Sequence, residues 1–419
     1  LLHLIVLLTL ILFYLRYFTT TTNNFRWYSI IISFLFIGEI CFIYFFCLKY
    51  PITEYSSSEK QILKTRKEKI LLNHKHQHNT VTGFLERWNF SMLLDSESVE
   101  RYTSTYFEDL EEKNNQSAIT VPTGLYLQTI KFSDSHSTLI TGYVWQTYEL
   151  GTDLQIEPGV TFPDAESMNL ELEDSSRIFL DNGKRANFYR WYFEVSIREP
   201  FNYSRYPFDR NDLWLRLWHN EIDQNIVLVP DFGSYLLRHP VYRPGLDESI
   251  EIPGWKIEGS YYSYKEKNYN SNFGHDRYNS HQFFPELHFN IMLRRDFLDP
   301  VITKIIPLIV LLFMMFSILY ISGKEDALNI VIACSGLFFV AIFEHIHLRR
   351  YLNVSGIIYL GYYYFTTYIL LMLVTLSAIK NQDYLRLFGR EIKYPVFSKL
   401  IFWPFALFII LIATIYTYY

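Results

Sequence analysis

Two textures alternate along this chain. Near-continuous apolar runs occupy residues 1–18 and about 29–48, and then about 300–320, 328–343, 354–379 and 400–418. The stretch 54–290 is polar instead, with tyrosines and tryptophans interspersed. The last four runs approach the ~20 residues that a helix needs to cross a bilayer core. Links between the first three of these are too short to hold folded domains. The pattern therefore predicts a four-helix transmembrane domain over 294–419 and two N-terminal transmembrane helices within 1–50.

Between these ends the period changes twice. Residues 51–118 mix charges with sparse apolar positions, as in KQILKTRKEKILL and VERYTSTYFEDLEE, and read as a small helical accessory module. From 119 to 293 the period becomes two. Strands are expected at 124–132, 139–150, 187–197, 212–219 and 288–293. In NFYRWYFEVSI, Tyr189, Trp191, Phe193, Val195 and Ile197 share one face, and in DLWLRLWH the leucines 213, 215 and 217 do the same. DNG at 181–183 and RPG at 243–245 supply turns. Alternating strands punctuated in this way predict an antiparallel β-sandwich. The fold class is thus a β-sandwich followed by a four-helix transmembrane bundle, preceded by two further spans and a helical module.

Composition sharpens this reading. Hydrophobic residues make up 50% of the 419, but their segregation to the two ends is the mark of a membrane protein, not of one large globular core. The net charge of -5 and the absence of a basic stripe exclude a nucleic-acid binder. Cys41, Cys47 and Cys334 all fall in apolar runs, which removes a disulfide framework or cysteine zinc site from the polar domain. No nucleophile, metal-protease or phosphate-loop motif points to an enzyme, and no cofactor is implied. His74, His76 and His78 cluster in NHKHQHN as a metal chelate or, more simply, a solvated loop. Glu39, inside a span, is either a functional polar contact or an interhelical hydrogen bond. The first run is a span or a cleaved signal peptide, and the chain, opening without methionine, is expected to lack its true start. Arg16 and Arg26 favour a cytoplasmic link between the two N-terminal runs, KTRKEK at 64–69 argues the reverse, and the basic LRLFGREIK at 385–393 tips the choice. The β-domain is accordingly expected on the extracytoplasmic side.

YPFDRNDLWL, residues 206–215, resembles the aromatic-Pro-Phe-Asp signature of the pentameric ligand-gated ion channels, the Cys-loop receptor superfamily. With Glu199 and Leu213 at the flanking positions, it is similar to the prokaryotic branch, which lacks the loop cysteines. Other resemblances keep the family order: GLYLQTIKF, VWQTY, GVTFPDA, FYRWYFEV, LVPD, GWKI and LRRDFLDPVITKIIPLIVLLF, followed by spans in a 3+1 arrangement. The match covers about 120–419, and the N-terminal spans and the accessory module depart from it.

The resemblance implies a homopentamer in a cell membrane, in a bacterial inner membrane for this branch, that passes ions in response to an unknown small-molecule ligand or protons. Asp209, Pro207 and Phe208 would meet Arg295 where the two domains couple, or Asp209 and Arg295 would merely hold them together. The second channel helix would line the pore through Glu325, Asn329, Ala333, Gly336, Val340, Phe343 and His347, giving a carboxylate mouth that favours cations. A shift of one residue would expose Asp326, Ile330, Cys334, Leu337, Ala341 and Glu344 instead. His345 and His347 read as a polar cap, a proton sensor or a metal site. The ligand would sit under the aromatic-rich segment 260–278, near Trp191, Tyr261, Tyr262, Tyr264 and Tyr269, unless these are tyrosines of an exposed hairpin with no ligand. The alternative from a different class is a non-conducting membrane receptor of the same fold.

Overall fold

A computed structural model describes residues 31, 33–41, 92–93, 97–100, 103, 119–133, 137–150, 156–180, 183–198, 201–221, 226–267, 284–321, 326–354, 356–380, 383–387 and 390–418. The chain divides into two compact units. One comprises Thr53–Phe201 and Arg210–Arg295, the other Leu1–Ile52, Asn202–Asp209 and Asp296–Tyr419.

The first unit is built of β1 (Met92–Leu93), β2 (Ile119–Phe132), β3 (Ser137–Glu149), β4 (Val160–Thr161), β5 (Ala165–Phe179), β6 (Arg185–Arg198), β7 (Arg210–His219), β8 (Ile226–Pro230), β9 (Trp255–Lys267) and β10 (Phe284–Arg295). They form two five-stranded sheets with orders β1-β9-β10-β7-β4 and β5-β6-β3-β2-β8. All pairings are antiparallel except β2 with β8. Two-residue alternation selects the inner faces: Phe193, Val195, Ile140 and Leu125 of one sheet and Leu213, Leu215, Leu217, Phe289 and Ile291 of the other are all at most 1% exposed. Bonds tie the sheets together, with the Leu125 amide donating to the Tyr262 hydroxyl (3.0 Å) and the Tyr264 hydroxyl donating to the Leu228 carbonyl (2.8 Å).

The accessory stretch contributes a strand where only helix is expected. Met92 and Leu93 pair with Ser263 and Tyr262 at the sheet edge, and helical residues follow at 97–100 and 103. The expected hairpin turn at 181–183 lies between β5 and β6. RPG does another job. In the long β8–β9 connection, Gly245 (φ 74) gives its carbonyl to the Leu127 amide at 2.8 Å. A Cβ there would lie 2.7 Å from the Leu125 carbonyl oxygen, so only glycine lets the connection lie against β2.

The second unit contains α1 (Leu298–Ile321), α2 (Ala327–Leu352), α3 (Tyr359–Ile379) and α4 (Tyr394–Tyr418), each long and apolar enough to cross a membrane. The chain is a multi-pass membrane protein. A short hairpin, β11 (Tyr384–Leu387) with β12 (Arg390–Lys393), joins α3 to α4. α1 carries a π-turn at Val301–Ile305, and α2 continues beyond its apolar run to Leu352, so His347 lies on the helix as expected. Lipid supplies no hydrophobic drive between helices, so polar bonds and close packing must hold the bundle. The Tyr359 and Thr414 hydroxyls lie 2.8 Å apart across α3 and α4. Thr366 and Thr367 return their hydroxyls to carbonyls one turn earlier on α3.

Two outlying segments complete this unit. Residues 31 and 33–41 are helical, and Phe36, 3% exposed, packs with Tyr359, Leu411 and Tyr418. The second N-terminal run therefore docks on α3 and α4. The 202–209 loop, expected within a continuous 119–293 domain, belongs here as well. Its Ser204 carbonyl accepts the Tyr359 amide at 2.7 Å, satisfying one of the orphan donors at the start of α3. The N-terminal run 1–18, most of the accessory stretch and the histidine cluster at 74–78 lie outside the described residues.

Candidate functional site

α2 carries the polar positions that a pore would need, and its burial separates the two possible faces. Ile330, Cys334 and Ala341 are at most 4% exposed, packed among Leu311, Met315, Leu370 and Leu371 of the bundle core. Asn329, Ala333, Gly336, Val340, Phe343 and His347 are all exposed, Val340 at 54% and Phe343 at 68%. The burial of α2 makes the shifted face the one that holds the bundle together. The face beginning toward Glu325 is left open. Glu325 itself lies outside the described residues, whereas Asp326 is exposed at the N-cap of α2. A carboxylate there meets the positive end of the helix dipole. Only 17% of the central window of α2 is buried, against 44% for α3, so α2 is the span with most surface to offer a neighbour or a lumen.

At the other end of α2, Lys304 Nζ lies 3.3 Å from Glu344 Oε2 and 3.3 Å from His347 Nδ1. This group ties the start of α1 to α2 next to the open face. His345 turns the other way. Its ring stacks on Tyr364 at 4.8 Å with a 3° tilt, and its Nδ1 lies 3.1 Å from the Tyr368 hydroxyl. It is an internal polar contact within the bundle, not part of an end cap.

The coupling residues fall in both units. Phe208 packs beside Phe297 (6.0 Å between ring centres) and against the Tyr359 cluster. Pro207 follows a cis peptide bond, and Arg205 stands over the Tyr418 ring at 5.5 Å. Asp209 is 1% exposed. Arg295 closes β10 with its guanidinium 4.1 Å from the centre of the Trp255 ring, a cation–π seat.

The aromatic ligand residues are placed differently from expectation. Tyr261, Tyr262 and Tyr264 lie on β9, the first strand of the antiparallel β9–β10 pair, and are buried there at 5%, 1% and 1% exposed. Tyr262 and Tyr264 point into the sandwich, because β9 alternates and their hydroxyls find backbone partners there. The Tyr262 hydroxyl lies 2.7 Å from that of Tyr235, and burial, then the neighbouring Tyr235, holds it well above the usual tyrosine range. Tyr261 takes the opposite face and hydrogen-bonds to Asp212. Trp191 is core, 7% exposed and stacked on Tyr189 at 5.9 Å. Tyr269 lies outside the described residues.

That outer face of the β7, β9 and β10 sheet holds a polar cluster that sequence reasoning missed. Glu286 is 1% exposed. It accepts the Trp218 indole N–H at 2.8 Å and faces Arg216 at 3.4 Å. Arg216 also pairs with Asp164. His288 is 4% exposed, with Nε2 3.8 Å from Glu286 Oε2, and neither ring nitrogen has a hydrogen-bond partner among the described residues. Lys265 Nζ sits 3.6 Å from the centre of the Trp214 ring, and that ring meets His288 edge-on. The signal was present as Arg216, Glu286 and His288 at alternate positions. Strand pairing, which sets His288 opposite Arg216 and Glu286 opposite Lys265, is what joins them.

No family model matches the chain, and no curated protein matches it.

Proposed function

We propose that the chain assembles as a homopentameric, cation-preferring ion channel gated by a ligand or protons acting on its β-domain. The observation carrying this reading is the open face of α2. It is the least covered of the four spans, and its open side presents Asn329, Ala333, Gly336 and His347, with Asp326 exposed at its beginning. Single polar groups facing lipid are costly, whereas five copies around an axis would shelter them in a hydrated lumen. A second surface suits assembly. β5 is a 15-residue strand at a sheet edge, with Met168, Leu172 and Phe179 at 44%, 56% and 74% exposure. Glu166, Glu171, Glu173, Asp174 and Arg177 interrupt these apolar side chains, so the edge suits a specific partner and resists indiscriminate strand pairing.

The test combines subunit counting in detergent or nanodisc particles with reversal potentials in asymmetric salt. Pentamers with cation preference that weakens in Glu325→Gln or Asp326→Asn are expected. Dominant monomers or dimers, or an anion preference, overturn the reading. The competing reading is a non-conducting receptor of the same fold. It is favoured by Ile332, Val340 and Phe343, whose exposed apolar side chains would keep a lumen dry. Pentamers whose α2 face never hydrates would establish it.

A further inference from the structure

Neither ring nitrogen of His288 has a partner within 3.5 Å among the described residues, and the Glu286 Oε2 acceptor lies at 3.8 Å. Among the described residues, charges of both signs surround the ring. Arg216 on β7 and Lys265 on β9 supply two cations, and Glu286 on β10 and Asp164, between β4 and β5, supply two carboxylates. Asp212 stands further along the same face of β7, bonded to Tyr261. A neutral imidazole buried in this setting leaves a donor and an acceptor unmet, at about 1–3 kcal/mol for each. An imidazolium would have two donors and a carboxylate already 3.8 Å away.

We propose that His288 is a proton-binding site of the β-domain, and that proton uptake draws Glu286 onto the imidazolium and away from Arg216. The proton goes to whichever ring nitrogen is the acceptor in the neutral tautomer, and no other bond is made or broken. Glu286 is held by β7 through both Arg216 and Trp218, so moving its carboxylate loosens the tie between β7 and β10. Desolvation keeps His288 neutral at ordinary pH, holding its pKa below the usual histidine value. Glu286 opposes that shift, and Lys265 and Arg216 add to it. The linkage sign follows. Above the unfolded value of about 6.5 both states are neutral and stability is full. As pH falls below that value the unfolded chain binds the proton first, and stability declines down to the folded pKa.

The site supplies a candidate for the proton named above as a gating agent, but its test does not depend on conduction. Intrinsic tryptophan emission and thermal unfolding of the full chain in detergent are followed from about pH 8 to about pH 4.5. Trp214 and Trp218 adjoin the cluster, so an emission change is expected below about pH 6.5, together with a falling Tm. His288→Gln should abolish that emission step, and His288→Phe serves if the glutamine variant does not fold. Lys265→Met removes a repelling cation and should raise the midpoint by about 0.3 pH units or more. Asp212, exposed further along the same face, is the acidic control, and Asp212→Asn should leave the step in place. A step that survives in the His288 variants, or is unmoved by Lys265→Met, or vanishes in Asp212→Asn, overturns the proposal.

Discussion

Tyr262 shows how a single side chain changes meaning once its neighbours are known. As a letter in SYYSY it is an aromatic suited to a cationic ligand. In the fold it bridges the two sheets, bonding the Leu125 amide and the Tyr235 hydroxyl. The Leu125 amide also donates to Tyr235 at 2.8 Å, so removing one hydroxyl leaves no orphaned donor. Tyr262→Phe is therefore expected to cost about 1 kcal/mol. Tyr262→Ala, which empties a core site, should cost about 3–5 kcal/mol. Thermal or denaturant unfolding of the β-domain signal measures both. A Tyr262→Phe variant with wild-type stability would return the hydroxyl to a ligand-binding role.

At the scale of elements, α2 decides most of the functional question. Its sequence permits two faces one residue apart, and hydropathy does not choose between them because both are largely apolar. Burial does distinguish them, since Ile330, Cys334 and Ala341 pack into the bundle, and under the channel proposal the opposite face would line the pore. Cysteines introduced at Asn329, Ala333, Gly336 or Val340 should react with a charged thiol reagent if that face meets water, and those at Ile330 or Ala341 should not. Native Cys334 is buried, while Cys41 is exposed and is best replaced first. Reaction rates differing by about tenfold or more between the two sets are expected, since buried and lipid-shielded thiols rarely form the reactive thiolate. Equal, slow labelling of both sets would favour a face covered by lipid or a dry lumen.

For the whole molecule, the channel proposal would route coupling through the 202–209 loop, which leaves the β-unit at Phe201 and rejoins it at Arg210. Its Ser204 and Phe208 contacts reach the start of α3 and the residues preceding α1. The docked helix at 33–41 touches the same aromatic cluster through Phe36. Under the channel proposal, Asp209→Asn should leave pentamers intact on size exclusion and shift half-activation, by pH or ligand dose, by about fivefold, equivalent to the ~1 kcal/mol of a lost charge-assisted contact. Unchanged dose dependence would remove Asp209 from transmission. Loss of assembly would make it a structural residue.

Period and hydropathy alone determined the alternation of strands, the inward leucines of β7, the buried face of β6 and the positions of four spans. These are local properties, in which each residue's character directly selects one side of a strand or one solvent. What lay beyond reach was every feature made by residues distant in sequence. Packing of the second sheet against β9 buried Tyr262 and Tyr264, and pairing of β10 with β7 brought His288, Glu286 and Arg216 together. The 202–209 loop left its own sheet for the helices because the first amide of α3 needed an acceptor and the Phe208 ring an apolar neighbour. The side of α2 that turns inward was likewise settled by tertiary packing: three other spans compete to cover it, and only close contact ranks one apolar face above another.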